Sequence, residues 1–283
     1  MNKIAVIGLV GESVFLAVER FHRGGETVEA DSMHTQPGGK GFNQAVAAKR
    51  AGASVSFLAA VGGDAYALQI RRFLDAEKIA YSLAEKKDRT AYAAILTDRQ
   101  GSNRVTEYTG ARLEREDVAA FEGEIAAADI LLLSNEVPPE VNECAAELAY
   151  KHGVRVILNP APARPLSASL KEKICLFTPN EFETQGLEDC KNVIVTLGEK
   201  GCLIRETGEN IPAVKAKAVD TTGAGDVFNG YLAAALASGK SLREAAAFAN
   251  VASGIAVTRK GAVTSVPLYK EVMNLYGSQS ERT

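Results

Sequence analysis

The segment Asp220-Thr221-Thr222-Gly223-Ala224-Gly225-Asp226, followed by the run VFNGYLAAALASG, carries the residue types most able to do chemistry. Its spacing predicts a helix that starts near Asp226 and ends before Gly239. A small-residue turn that opens a helix aims unpaired backbone N–H groups at one point. Those donors and the helix dipole together favour an anion there. Gly223, Ala224 and Gly225 would let a phosphate come close to the backbone. Asp226 falls in the first turn beside that anion hole, where a carboxylate can take a proton from an attacking hydroxyl. An Asp in that position can equally cap the helix, and spacing alone does not separate the two roles. No GxxxxGK[ST] and no GxGxxG occurs in the chain, so this is neither a P-loop nor a dinucleotide fingerprint.

A second glycine turn, Pro37-Gly38-Gly39-Lys40-Gly41-Phe42-Asn43-Gln44, leads into AVAAKRAGA and predicts a helix over 43–51. Lys40 and Asn43 offer donors to a hydroxylated or anionic ligand. The alternative is a plain turn with a solvated lysine. A third group sits after apolar runs: Asn135-Glu136, Asn159-Pro160-Ala161-Pro162, Thr178-Pro179-Asn180-Glu181 and Thr196-Leu197-Gly198. In open parallel sheets ligands bind at the carboxyl ends of strands. Any one of these polar residues alone also serves as a turn former or cap.

The elements that must position these residues alternate. Apolar, β-branched runs at 4–8, 55–61, 130–133, 154–158, 174–177 and 193–197 predict strands buried on both faces. Alanine-rich stretches at 43–51, 65–76, 140–152 and 227–237 predict helices between them. The implied fold is α/β, a mostly parallel sheet covered by helices on both faces. Two stretches, 14–36 and 90–109, break the rhythm with polar alternation, and RTAYAAILTD–RQGSN–RVTEYT reads as a hairpin. Together they predict a small β-lid over a site at the sheet edge, of the kind that excludes water; a plain surface extension is the alternative. The crossover over 178–192 is short for a parallel connection, and 277–283 reads as a frayed polar tail.

Composition bounds the function. The 283 residues are 46% hydrophobic and 24% charged, with a formal charge of −3. That excludes a disordered chain and gives no electrostatic case for nucleic acid. No apolar stretch is long enough for a membrane helix. Cys144, Cys175, Cys190 and Cys202 are scattered without a CxxC, which argues against a zinc site and for a reducing cytoplasm.

GGKGFNQAVAAKRAGA and DTTGAGDVFNGYLAAAL resemble the two signature segments of the ribokinase-like, PfkB-type carbohydrate kinases. NPAPARPL, TPNEFE, VTLGEKG and VTRKGAVTSVP continue the resemblance in order. It implies a three-layer ribokinase-like sandwich and an ATP-dependent phosphotransferase acting on a sugar hydroxyl. It implies Asp226 as base and Gly223, Ala224 and Gly225 as the anion hole. Gly39, Lys40, Asn43 and Glu136 would face the sugar. Asn180, Thr196, Gly198 and Gly225 would line the nucleotide side, with Gly201 closing a turn and Asn250 near the adenine. A monovalent cation, K⁺, would be held through Asp220, Thr222, Ala256, Arg259, Gly261 and Ser265, largely by backbone oxygens. Asn180 and Glu181 would organise Mg²⁺ through water. A homodimer through the lid is also implied.

One departure stands out. Where the family places an Asn and an Asp two apart to grip sugar hydroxyls, this chain has Gly11 and Ser13. That points away from ribose, to another polyol, a deoxy sugar or a nucleoside-like acceptor, with Ser13 or Glu12 as partner. The competing readings are a nucleoside kinase and a non-catalytic sugar or nucleotide sensor on a kinase fold.

Overall fold

The computed structural model describes residues 2–280. Its centre is a six-stranded parallel sheet built from β1 (Lys3–Ile7), β4 (Ser54–Gly62), β5 (Ala80–Lys86), β8 (Ile130–Ser134), β9 (Arg155–Asn159) and β10 (Leu176–Phe177), in the order β10-β9-β8-β1-β4-β5. The apolar runs are continuous because each strand feeds two cores. Ile4 and Val6 of β1, with Ile130 and Leu132 of β8, enter one cluster. Ala5 and Ile7, with Leu131 and Leu133, enter the other. This is the period-two alternation of a strand with helices on both sides.

The first cluster is closed by α1 (Lys40–Arg50), α7 (Ala224–Ala237), α8 (Leu242–Ala256) and α9 (Tyr269–Ser280), with α2 (Ala65–Ala76) at its edge. The second lies under α3 (Arg115–Ala120), α4 (Glu122–Ala126), α5 (Pro139–Lys151) and α6 (Ala168–Lys173). The tail helix α9 runs through Ser280, so 277–280 is helical rather than frayed; 281–283 lies outside the described residues.

A four-stranded side sheet stands where the lid was expected. It comprises β2 (Gly11–Val18), β3 (Ala30–Gly38), β6 (Ala91–Thr97) and β7 (Asn103–Tyr108), in the order β3-β2-β6-β7. The hairpin β6–β7 closes at Thr97↔Asn103. Both ends of the first arm are longer than read, because Gly11↔Gly38 still pair.

Two other expectations change, while the short crossover is as read. The run over 193–197 does not extend the main sheet. Its core, β11 (Ile194–Thr196), pairs with β12 (Cys202–Ile204) and β13 (Glu209–Ile211) in a separate antiparallel sheet. The isolated bridges Phe177↔Val193 and Asn180↔Thr196 join it to β10 and the loop after it. The crossover over 178–192 carries turns and no helix. Helix α1 begins at Lys40, a turn before the expected Asn43. Its N-cap residue Gly39 has no side chain to cap it, and the Glu136 carboxylate accepts the Lys40 amide at 2.6 Å instead. A cap supplied by a residue so distant in sequence leaves no local signal.

Candidate active site

The carboxyl ends of β1, β8, β9 and β10 meet the N-termini of α1 and α7 at one edge of the sheet. Helix α7 opens on Gly223 at φ 76°, in the left-handed region that favours glycine. The first intrahelical bond runs from the Val227 amide to the Gly223 carbonyl, and the Ala224 amide reaches the Thr221 carbonyl. Among the described residues, the Gly225 and Asp226 amides find no acceptor in the chain. These are the free donors that a glycine turn leaves for an anion.

Asp226 is not a cap. It is buried, 6% exposed, and its two oxygens accept from Asn43 Nδ2 and Gln44 Nε2 of α1, each at 3.0 Å. Burial pushes its carboxyl above the ordinary range, against the pull of Lys40, Asn43 and Gln44. The network continues inward. Gln44 Nε2 also reaches Asn159 Oδ1 at 3.4 Å, Asn159 Nδ2 donates to the Thr178 carbonyl, and the Thr178 hydroxyl bonds Asn229 Oδ1. Asn229 Nδ2 in turn donates to the Gly225 carbonyl. The strand-end residues Asn159 and Thr178 thus lock the two helix starts together, and buried networks of this kind rigidify what they hold.

Two clefts open near Asp226, one lined by Lys40, whose charge it bears on, and the other by its neighbour Gly225; the buried Asp226 side chain itself lines neither. The first, about 830 Å³, is lined by Lys40, Glu136, Glu183 and Glu107, among others. The ammonium of Lys40 is held above its ordinary range chiefly by Asp226, with Glu136 and Glu183 adding to it. Desolvation pushes Glu136 up to about 7, with Lys40 opposing and Asp226 reinforcing the rise. The second cleft, about 1000 Å³, brings together all six residues assigned to the nucleotide side: Asn180, Thr196, Gly198, Gly201, Gly225 and Asn250. The amide nitrogen of Asn250 is committed to the Ile211 and Pro212 carbonyls, so it shapes the cleft wall.

Several residues stand differently from the sequence reading. Gly11 and Ser13 lie on β2, and Gly11 packs directly against Ala91 of β6. Glu12 cannot stand in for the missing grip, because strand alternation turns it to the opposite face from Ser13. There it is 1% exposed, its carboxyl raised by burial. Glu181 lines the nucleotide cleft, whereas Glu183, which sequence reasoning passed over, lines the other cleft and bears on both Lys40 and Asp226. The Asn180 amide donates to Glu183 at 3.0 Å, so a turn that joins position i to i+3 was the available signal. Gln44 was also missed, although it adjoins Asn43 in the second glycine segment.

The six cation candidates gather in two touching loops. Asp220 accepts from the Thr222 amide and the Gly261 amide, each at 2.9 Å, and the Val219 and Asp220 amides reach the Val257 carbonyl. Burial pushes Asp220 up, but those hydrogen bonds outweigh it and hold the carboxyl below its usual range. The Arg259 guanidinium is paired with Glu271, which leaves its backbone carbonyl as the group it could offer; Ser265 is buried with its hydroxyl on the Ala262 carbonyl. This donor set of carbonyls, one hydroxyl and one carboxylate fits a hard, oxygen-liganded cation. Among the described residues no three His, Cys, Asp or Glu side chains cluster to cage a metal. Glu181 and Glu183, on either side of the Asn180 turn, fit a magnesium ion that keeps its waters and takes phosphate oxygens.

This geometry agrees with known proteins. A ribokinase of Haemophilus influenzae is 34% identical over 95% of this chain and 97% of its own. A deoxyribokinase of Salmonella typhimurium is 33% identical over 98% and 99%. A solved Arabidopsis thaliana ribokinase complexed with ribose and ATP superimposes with a TM-score of 0.88 at 29% identity, covering 98% of this chain and 99% of that one. The pfkB family of carbohydrate kinases matches over residues 1–268. With both clefts and the start of α7 inside that span, the chain belongs to the pfkB carbohydrate kinase family, ATP-dependent phosphotransferases that act on the hydroxyl of a sugar or sugar-like acceptor.

Proposed function

We propose that this enzyme phosphorylates a hydroxyl of a free sugar of about pentose size, with Asp226 as the general base. One observation carries the reading: a buried carboxylate, held by Asn43 and Gln44, stands near two clefts and beside two unpaired amides. ATP occupies the cleft of Asn180, Thr196, Gly198, Gly201 and Asn250. The sugar occupies the cleft of Lys40 and Glu136, with the Gly39 turn and Asn43 adjoining Lys40 at the start of α1.

Asp226 takes the proton of the acceptor hydroxyl as the oxygen attacks the γ-phosphorus. Its raised pKa brings its basicity nearer the operating pH, where proton transfer is most effective. The amides of Gly225 and Asp226 and the positive end of α7 receive the charge on the migrating phosphoryl. Lys40 balances the carboxylates around it. Magnesium, when bound, neutralises phosphate charge; Asn180, Glu181 and Glu183 would orient its waters. A monovalent cation would be held by Asp220, Thr222 and the carbonyls of Ala256, Arg259, Gly261 and Ser265, fixing the loops that precede α7. The side sheet acts as the lid, excluding water as it closes. A second copy would cover the apolar row Phe15, Ile95 and the half-exposed Val105, farther along the strands on the face that carries Ser13, giving a lid-to-lid homodimer; sedimentation giving only monomer at working concentration would remove that idea. Four free cysteines suit the cytoplasm.

The experiment is ADP release with ATP, Mg²⁺ and K⁺ against a panel of sugars and nucleosides. The account expects a free sugar to be the best acceptor; sugar-independent ATP hydrolysis alone, or a nucleoside preferred throughout, would contradict it.

Glu136 adds a pH dependence. Its carboxyl, raised to about 7, is protonated below that pH and ionised above it. The ionised form accepts the Lys40 amide and a sugar hydroxyl in charge-assisted bonds, stronger than those the protonated form makes. The KM for the acceptor is expected to fall as pH rises through about 7, and Glu136→Gln to flatten that limb. An identical KM–pH profile in the variant would show that Glu136 does not touch the sugar.

A further inference from the structure

Four residues lie directly opposite one another across the side sheet: Gln36 on β3, Ser13 on β2, Ala93 on β6 and Glu107 on β7. Directly paired residues share a face. Both ends of this row locate that face. Glu107 lines the sugar cleft, and its charge bears on Lys40 and Glu136. At the other end, Gln36 Oε1 accepts from the Thr264 hydroxyl at 3.2 Å, in the loop beside the cation candidates. The row therefore looks down on the acceptor.

Its middle is nearly bare. Ser13 and Ala93 are small, and so are Gly11 and Ala91 in the next row. Recognition groups are left at the ends. Gln36 is 6% exposed, and its Nε2 is buried without a partner. Glu107 is an exposed carboxylate at the cleft wall, about 10 Å from Ser13, or two strand spacings.

We propose that Glu107 is the specificity residue of the acceptor site: its carboxylate accepts a hydroxyl at the end of the sugar remote from the one phosphorylated, while Gln36 donates to a hydroxyl nearer β3. The acceptor is a neutral polyol. Glu107, Glu136 and Glu183 face one cleft and repel a phosphorylated or carboxylated sugar, a rejection built from like charge. Arg112 and Arg164 also line this cleft, donating to the Thr109 hydroxyl and the Val137 carbonyl, but with Lys40 they are outnumbered there by Glu107, Glu114, Glu136, Glu140 and Glu183. This inference rests on the kinase reading and names the substrate class of that site.

The test uses the full chain and the best neutral acceptor from the panel, with that acceptor's phosphorylated or carboxylated counterpart alongside. Glu107→Ala is expected to raise acceptor KM about 10- to 100-fold, the loss of one charge-assisted hydrogen bond. It should leave kcat and the KM for ATP within about threefold. Glu107→Gln should fall between, and Gln36→Ala should raise acceptor KM alone. In the wild-type enzyme the anionic counterpart should be the poorer acceptor, and Glu107→Ala should narrow the gap. Unchanged acceptor KM in both Glu107 variants, or a wild-type preference for the anionic sugar, overturns the proposal. Should no sugar turn over, the kinase reading fails separately. Calorimetric binding of the sugar to wild type and Glu107→Ala then still decides this one, equal affinity counting against it.

Discussion

Replacing Asp226 by Asn is expected to lower phosphoryl transfer by about 10²- to 10⁴-fold, the contribution a positioned general base makes. ATP affinity should stay within about threefold, because the nucleotide cleft meets α7 at Ala224 and Gly225 rather than at this carboxylate. The substitution keeps the shape of the side chain and removes its ability to take a proton. It also presents an amide nitrogen to Asn43 Nδ2 or Gln44 Nε2, both donors. One of the two hydrogen bonds is therefore lost, a stability cost of about 1–3 kcal/mol for a buried unpaired donor. Steady-state ADP release with the best acceptor, calorimetric ATP binding and a melting curve separate the effects. Near-full turnover in a folded variant would mean that another group takes the proton.

Gly230→Ala is expected to be the most damaging change outside the chemistry. On α7, one turn beyond Asp226, Gly230 faces α1, where a Cβ would lie 2.5 Å from Ala47 Cβ and 2.6 Å from both the Ala48 nitrogen and the Gln44 carbonyl oxygen. Two of those three neighbours are backbone, so relief requires the helices to part. Overpacking of this kind costs about 1–3 kcal/mol, and more where backbone must move. For a chain of this size that is a fall of roughly 2–5 °C in melting temperature. Moving α1 also withdraws Gln44 from Asp226, so kcat should drop with stability. Gly123→Ala serves as the control, since a Cβ there meets nothing within 4 Å. A Gly230→Ala protein as stable as wild type would show that α1 and α7 pack less tightly than described.

The residues proposed to do the chemistry were legible where their geometry is local. Gly223 to Asp226 form a turn and a helix start within one segment, so spacing alone located the amides. The runs over 4–8 and 130–133 declared their strands because each is buried on both faces and needs no polar alternation. What escaped depends on contacts across the fold. The start of α1 is set by Glu136, and the role of Asp226 as a held carboxylate rather than a cap is set by Asn43 and Gln44 from another helix. The Gln36–Glu107 row exists only once four strands find their register. Strand β5, AYSLAEK, lacks a clear apolar run because it is the edge of the sheet and half-buried. The strands of the small antiparallel sheet are too short for any period to show.

The central claim is that amides at the start of α7 hold the migrating phosphoryl beside a carboxylate that deprotonates the acceptor. A crystal structure with ADP, Mg²⁺, aluminium fluoride and the best acceptor tests it most directly. The fluoride group is expected on the Gly225 and Asp226 amides, with an acceptor hydroxyl oxygen about 2.6–3.2 Å from an Asp226 oxygen. A fluoride group bound away from those amides, or an acceptor hydroxyl beyond reach of Asp226 with the lid closed, would contradict it.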